Sequence, residues 1–481
     1  MKQAVDPIRL IFGLKLKQFR QNKKWSLQDL SEKTGISTSY LNEIEKGKKY
    51  PKTDKILSLA QALEIDYDEL TSSDLRKALG PTGDLLKSSF FTDIPFEFFG
   101  IDPGNIIEII ADAPVKFSAF VNTLWKIGRS YNVSVEKLYF AVLRSFLEIH
   151  KNYFPELEEI ADSFYSETDK TEAFLKKYLR EEHKIYTDTF DPEKYNSISH
   201  LRTVLRPKTK KLFLNKNLTK EQKTFSLARE VGFRYMGIRV RPLTSTWVSV
   251  NSFEEVFNNF KASYFAACIL IPKHILNADL KGFFEQSKFS QKKLSSILRR
   301  FDVSSETVYY RMFSLLPAFF NIEKLYFLKF ESLKGSTDAK LIKEIHLVGQ
   351  HDPQESRNEH YCRRWSGISI LDEAIDISET TEIFKPQISV FENNGHQYFE
   401  ISIAKQSKTN GQESITLGFE INEITKKSVG FIDDPKVIRR SVGQTCEKCG
   451  IFDCKERIAS PSVLYNQRKL SEVNNAIERL N

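Results

Sequence analysis

Long apolar runs are missing from this 481-residue chain. The nearest approach to one, 264–271, is broken by small residues and falls far short of the ~20 residues that cross a bilayer. The first twenty residues scatter Lys and Arg and hold no uninterrupted apolar stretch, which predicts no secretory signal. Cysteine is scarce, at five, and glycine numbers only 20. These shortages argue against a secreted disulfide scaffold, an integral-membrane protein, a collagen-like fibre and a coiled-coil protein. They predict a reducing, cytoplasmic setting with no membrane partner.

What is present fits several packed cores: 41% hydrophobic and 28% charged residues. A domain size of ~150 residues gives about three domains. The net charge of +8 is unevenly placed. Residues 1–55 hold 13 Lys/Arg against 6 Asp/Glu, so the remainder is close to neutral. A basic module on a neutral body points to a polyanion, most simply nucleic acid.

Residues 7–70 read as five short helices. Leu10, Leu14, Leu16 and Phe19 give the first an apolar side among Lys15, Lys17, Arg20, Lys23 and Lys24. Ser26 is an N-cap for a helix over 27–34, Gly35 allows a tight turn, and Ser37 caps a third helix stopped by Gly47. Ile56, Leu59, Leu63 and Ile65 close the bundle. Two short helices around a glycine turn form a helix-turn-helix, whose second helix enters the major groove. Thr38, Ser39, Tyr40, Asn42 and Glu43 are its candidate base-facing residues, with Leu41 and Ile44 inward. Lys46, Lys48 and Lys49 follow where phosphates would lie. The Gly-Ile-Ser turn, the run SYLNEIEKGKKYP and the closing Leu-Ala…Ala-Leu helix resemble the XRE (Cro/repressor-like) family.

Residues 71–105 read as a docked linker, and 114–178 show helical periodicity. Short strands at Ile185 and 212–214 precede a predicted helix over 220–235. This frame, with the later FKASYFAACILIP, resembles the ImmA/IrrE-type metallopeptidases, whose helix carries His-Glu-x-x-His and whose next helix adds an acidic ligand. Here Arg229 and Phe233 stand at the histidine positions and Lys261 at the expected acidic one, leaving only Glu230. Arg, Lys and Phe offer no lone pair to zinc. The expectation is a degenerate, non-catalytic scaffold, with Glu230 paired to a nearby arginine such as Arg229 or Arg234. An active peptidase is the reading this chemistry removes.

The region 280–465 mixes helices over 294–316 with strands at 324–330, 344–349, 388–393, 397–405 and 414–421. The alternation in YFEISIA predicts a half-buried antiparallel sheet. Then come Cys446, Cys449 and Cys454 within nine residues, beside Gly443 and Gly450. A fourth thiolate is needed for tetrahedral zinc or a cubane cluster. Cys362 is the first candidate and His360 the reserve, while Cys268 reads as packing.

The XRE module, the degenerate peptidase frame, Cys362 with Trp365, and Cys446-x2-Cys449-x4-Cys454 with Arg457 and Pro461 together resemble the RamB/PrpR-like short-chain fatty acyl transcriptional regulators. The resemblance implies a cytoplasmic homodimer on a double-stranded DNA operator. It also implies a short-chain acyl-CoA effector and a [4Fe–4S] cluster on the four cysteines, with zinc the open alternative. The competing reading is a phage-type or stress-type repressor with a structural zinc site and no acyl-CoA ligand.

The expected class is α+β, mainly helical. Its parts are a lambda-repressor-like bundle (1–70), a linker and helical region (71–180), a zincin-like degenerate domain (181–280) and a mixed-sheet sensor domain with the cysteine loop (281–481).

Overall fold

The computed structural model describes residues 7–72, 123, 135–165, 171–245, 248, 250–333, 338–347, 359–375, 377–378, 381–407 and 411–480. The fold is α+β. The proposed linker falls almost wholly outside the described residues, as does the helical period before 135. Two compact units divide the chain, Met1–Phe146 with Ser249–Phe257 and Leu147–Val248 with Asn258–Asn481.

In the first unit lie α1 (Pro7–Asn22), α2 (Leu27–Thr34), α3 (Thr38–Glu45), α4 (Thr53–Leu63) and α5 (Tyr67–Thr71). Ser26 and Asp29 form a reciprocal capping box at α2, and Gly35 ends that helix in the left-handed region at φ 71°. Ser37 Oγ accepts the Tyr40 N–H to start α3. Phe12, Leu16, Leu30, Leu41, Ile44, Ile56, Leu59 and Leu63 share one core. Gly13 lets α1 meet the end of α3: a Cβ there would lie 2.8 Å from the Glu45 carbonyl oxygen.

Of the basic residues of α1, Lys15 and Arg20 turn inward. Lys15 is 1% exposed, and its ammonium donates to the carbonyls of Glu69 (2.7 Å) and Ser72 (2.7 Å). It thus satisfies carbonyls at the end of α5, where a cation also suits the helix dipole.

The helices α6 (Val135–Ile149), α7 (Pro155–Tyr165) and α8 (Glu172–His183) come next. A four-stranded sheet in the order β1-β3-β2-β4 follows, made of β1 (Tyr186–Phe190), β2 (Thr203–Arg206), β3 (Lys211–Asn215) and β4 (Thr244–Ser245). Strands β1 and β3 run parallel; β2 is antiparallel to β3 and β4. Then come α9 (Lys220–Tyr235), α10 (Phe253–Leu270), α11 (Lys273–Phe284), α12 (Gln291–Arg299) and α13 (Ser305–Phe320). The helical stretch expected over 294–316 is two helices, because Ser304 Oγ caps a new one by accepting the Thr307 N–H. Arg311 of α13 is buried with Glu158 of α7 in a two-pronged pair at 2.5 and 2.8 Å. Tyr264 of α10 adds its hydroxyl at 2.7 Å.

The last domain is a six-stranded sheet, order β10-β7-β8-β9-β5-β6. Its strands are β5 (Leu325–Leu333), β6 (Ala339–His346), β7 (Ile383–Phe391), β8 (Gln397–Ser407), β9 (Gly411–Glu420) and β10 (Ile438–Val442). All neighbours are antiparallel except β10 and β7. The expected half-buried sheet is covered on both faces instead. On one face α14 (Ser366–Glu373) buries the polar members of the alternation, Ser366 donating to Glu400 and bonding Ser402 at 2.7 Å. On the other, Phe399, Phe419 and Phe431 join Phe284 in an aromatic cluster. Two further helices are α15 (Glu423–Ser428) and α16 (Ser462–Glu478). No helix among the described residues is long and apolar enough to cross a membrane.

Candidate nucleic-acid interface and cysteine site

Helix α3 exposes Ser39 and Asn42 and half-buries Thr38, Tyr40 and Glu43; its C-cap, Lys46, is half-buried too, and Leu41 and Ile44 are buried. Lys48 and Lys49 are exposed on the loop that follows. Two details were not legible in the sequence. Glu43 is engaged: its carboxylate meets the Lys49 ammonium at 2.8 Å, and its carbonyl accepts the N–H groups of Lys48 and Lys49. The bond to Glu43 raises the Lys49 pKa. Tyr40 lies under the ammonium of Lys55, 4.2 Å from the ring centre, so its face is taken by a cation. The end of α3 is fixed from α1: Arg20 holds both Glu45 oxygens at 2.7 and 2.8 Å and the Trp25 carbonyl at 2.7 Å.

On α9, where the resemblance places the peptidase motif, Glu230 is 2% exposed. Arg241 clasps it at 2.9 and 2.5 Å, and Arg234 adds a third bond at 3.0 Å. The Arg241 guanidinium also sits 3.7 Å over the Phe233 ring, which fills the second histidine position. The expected arginine partnership is therefore real, but Arg241 leads it rather than Arg229. Burial, with Arg241 nearby, lowers the Arg229 pKa to about 10. On α10, Asn259 reaches Arg229 at 3.4 Å. Two residues on, Lys261 lies roughly 200° further round the helix. A carboxylate held by two arginines, beside a third, sits among guanidinium charges that would repel a metal ion.

The cysteine loop is built by pairing two segments. The Cys362 N–H donates to the Gln444 carbonyl (3.0 Å) and the Cys446 N–H to the His360 carbonyl (2.8 Å). Trp365 Nε1 donates to the Gly443 carbonyl at 2.9 Å. Arg457 binds the carbonyls of Cys446, Cys449 and Ile451 at 2.6, 2.9 and 2.8 Å. The Ile451 N–H points at Cys449 Sγ, 3.5 Å away. A Cβ on Gly443 would come within 2.8 Å of that sulfur.

Cys362, Cys446 and Cys449 are buried, Cys454 half-buried, and none is in a disulfide. Burial pushes the Cys362 thiol up to about 11, against the pull of the Arg364 and Gly443 backbone N–H groups, with Cys449 and Cys446 adding to the rise. Burial raises Cys449 as well. Among the described residues, no group of three or more His, Cys, Asp or Glu side chains is set at metal-holding separations. By residue type alone, thiols are the donors a soft, thiophilic centre would take, and here the Ile451 N–H is aimed at Cys449 Sγ with Gly443 sparing room beside it. His360, the reserve ligand, turns Nδ1 to Glu447 at 2.7 Å.

Residues 16–70 match the helix-turn-helix family model. The same region is 37% identical over 60 residues to the uncharacterised HTH-type transcriptional regulator YazB of Bacillus subtilis, covering 87% of that protein and 12% of this one. The chain belongs to the XRE-type helix-turn-helix family. Residues 180–313 match the IrrE N-terminal-like domain, a span running through α13. A propionyl-CoA carboxylase regulator of Cereibacter sphaeroides is 27% identical over 131 residues. That match spans 27% of this chain and about a quarter, 26%, of the regulator's length. A Mycobacterium tuberculosis transcriptional regulator of known structure follows 67% of this chain and 93% of its own at 18% identity, with a TM-score of 0.47. A helix-turn-helix and an IrrE-like domain in one chain are two of the parts of the RamB/PrpR-like layout that the sequence resembles.

Proposed function

We propose that the protein is a sequence-specific transcription regulator of the cytoplasm. It binds a double-stranded DNA operator as a homodimer and controls short-chain fatty acid or acyl-CoA metabolism. The observation that carries the DNA reading is α3, pinned by Arg20 to Glu45, with Ser39 and Asn42 exposed and Lys48 and Lys49 beside them. The metabolic part is supported by the name of the Cereibacter relative alone.

The sensor is the C-terminal domain. Cys362, Cys446, Cys449 and Cys454 would hold a [4Fe–4S] cluster or zinc; the cluster would supply redox sensitivity and zinc a staple. A small cavity of about 30 Å³ lies between the sheet and Trp365, walled by Tyr326, Phe330 and Phe391, with Glu400 among its lining residues. Burial raises the Glu400 carboxyl above the ordinary carboxylate range, against the pull of hydrogen bonds from Ser366 and Tyr326. Trp365 belongs both to the lining of this cavity and to the core around Cys362, so a change of packing there would reach the cysteine loop.

A genome-wide binding map tests the function. Discrete sites beside genes of short-chain acid metabolism are expected. Binding without discrete sites removes the regulator reading, and discrete sites elsewhere remove the metabolic one.

A further inference from the structure

Helix α16 buries none of its residues, although it is 17 residues long. Most helical stability in proteins comes from packing an apolar face, so a helix that leaves its apolar residues this open is incomplete as it stands. Its exposed apolar residues are not scattered. Leu470, Val473, Ile477 and, just past the helix end, Leu480 are 62, 47, 56 and 86% exposed. Their spacing of three, four and three is the a/d seam of a helix that pairs with another helix. Val463 lies seven residues before Leu470 and continues the row.

We infer that α16 is the homodimerisation helix, pairing with α16 of a second copy along Leu470, Val473, Ile477 and Leu480. This rests on the homodimer proposed above and names its surface. Two features favour an identical partner. The positions flanking the seam are Gln467, Asn474 and Ala476, with Lys469 the one charge among them, so nothing repels a like helix and nothing recruits a strongly charged one. Arg468, Glu472, Glu478 and Arg479 lie off the seam. The area is close to what a pair needs: four aliphatic side chains so exposed offer about 450 Å² per copy and about 900 Å² per pair, just under the ~1,000 Å² of a specific interface, and flanking stems add to it.

The seam starts from the cysteine loop. The Val463 N–H donates to the Glu447 carbonyl at 3.1 Å. Tyr465 stacks on Phe452 at 6.3 Å, and the Arg468 guanidinium sits 4.9 Å from the same ring. The first turns of α16 are thus seated on the loop between Cys446 and Cys454, and the dimer seam follows directly.

The test uses full-length protein and its mass in solution by light scattering at tens of micromolar. Wild type and the conservative pair Leu470→Ile/Ile477→Leu should be dimers. Leu470→Glu/Ile477→Glu should be monomeric, its association weakened at least ~100-fold by charges on the seam. Both residues are exposed, so its thermal unfolding as a monomer should match that of dilute wild type. A dimeric Glu variant overturns the seam while leaving the homodimer intact. A monomeric wild type overturns both. A monomeric conservative variant overturns apolar packing as the cause.

Discussion

Arg20 of α1 and Glu45 at the end of α3 form a two-pronged ion pair, 2.7 and 2.8 Å, with side chains only 11% and 6% exposed. The pair locks the recognition helix to the first helix at the point where Gly13 lets them meet. Removing one member leaves the other charge buried without compensation, which costs about 3 kcal/mol. Arg20→Ala should lower the urea midpoint of the N-terminal module, followed by Trp25 fluorescence. Arg20→Met with Glu45→Leu should recover most of the loss, because an apolar pair replaces an ion pair at little net cost.

On DNA, Lys48→Ala should weaken binding to all sequences alike and reduce the salt slope by about one, the signature of a lost phosphate contact. Asn42→Ala should instead relax sequence preference, at a cost of about 1–3 kcal/mol on the preferred site. Glu43→Gln should tighten binding, because Lys49 is then released from the ion pair toward phosphate. Unchanged affinity and salt slope in Lys48→Ala would rule out that lysine as an anchor.

Glu230→Gln should leave DNA binding intact and cost about 2–3 kcal/mol in stability, since Arg241 then keeps a buried charge with one weaker partner. Zinc content should be unaffected. Zinc that disappears with Glu230, or proteolysis abolished by Glu230→Gln, would restore the peptidase.

Acid should act through Glu158. Burial would raise this carboxyl, but Arg311, Tyr264 and Lys273 outweigh it and hold its pKa below the ordinary value. A lowered folded pKa stabilises above the unfolded carboxylate value of ~4.3, and that stability is lost as pH falls through the folded value. Wild-type unfolding midpoints should therefore drop below about pH 4 more steeply than those of Glu158→Gln paired with Arg311→Met. Parallel pH profiles would dismiss this linkage.

Local signals in this chain were legible because they are satisfied locally. Ser26, Gly35 and Ser37 cap and turn within a few residues, so the 27–34 helix is found where its caps predict it. Long-range partnerships were not. Lys15 looks like any surface lysine until α5 arrives 54 residues later to offer its carbonyls. Arg241, which decides the fate of Glu230, lies in a loop with no motif. Asn259 faces Arg229 through the rotation of α10, which residue types alone do not fix. The polar residues of β8 read as solvent-facing because the alternation says nothing about a helix laid over them; Ser366, a small hydroxyl residue at the start of α14, is what lets Glu400 go under.

The cysteine site makes the last prediction. Cys362 and the 446–454 loop are joined by backbone bonds, and Arg457 secures the loop carbonyls without touching sulfur. A metal bound by thiols from both segments would add its binding free energy to the fold of this region. Iron, sulfide and zinc analysis of anaerobically purified protein should show one centre per chain, lost in each of Cys362→Ser, Cys446→Ser, Cys449→Ser and Cys454→Ser. Gly443→Ala should also impair it, because the new methyl would crowd Cys449 Sγ at 2.8 Å. Iron with sulfide and a brown colour means the cluster; colourless protein with zinc means the staple. Metal retained only in Cys362→Ser would assign the fourth ligand elsewhere, with His360 first to be replaced once Glu447 no longer holds it. Metal retained in all four, or absent from wild type, would end the Cys₄ site and leave the loop held by Arg457 and Trp365 alone.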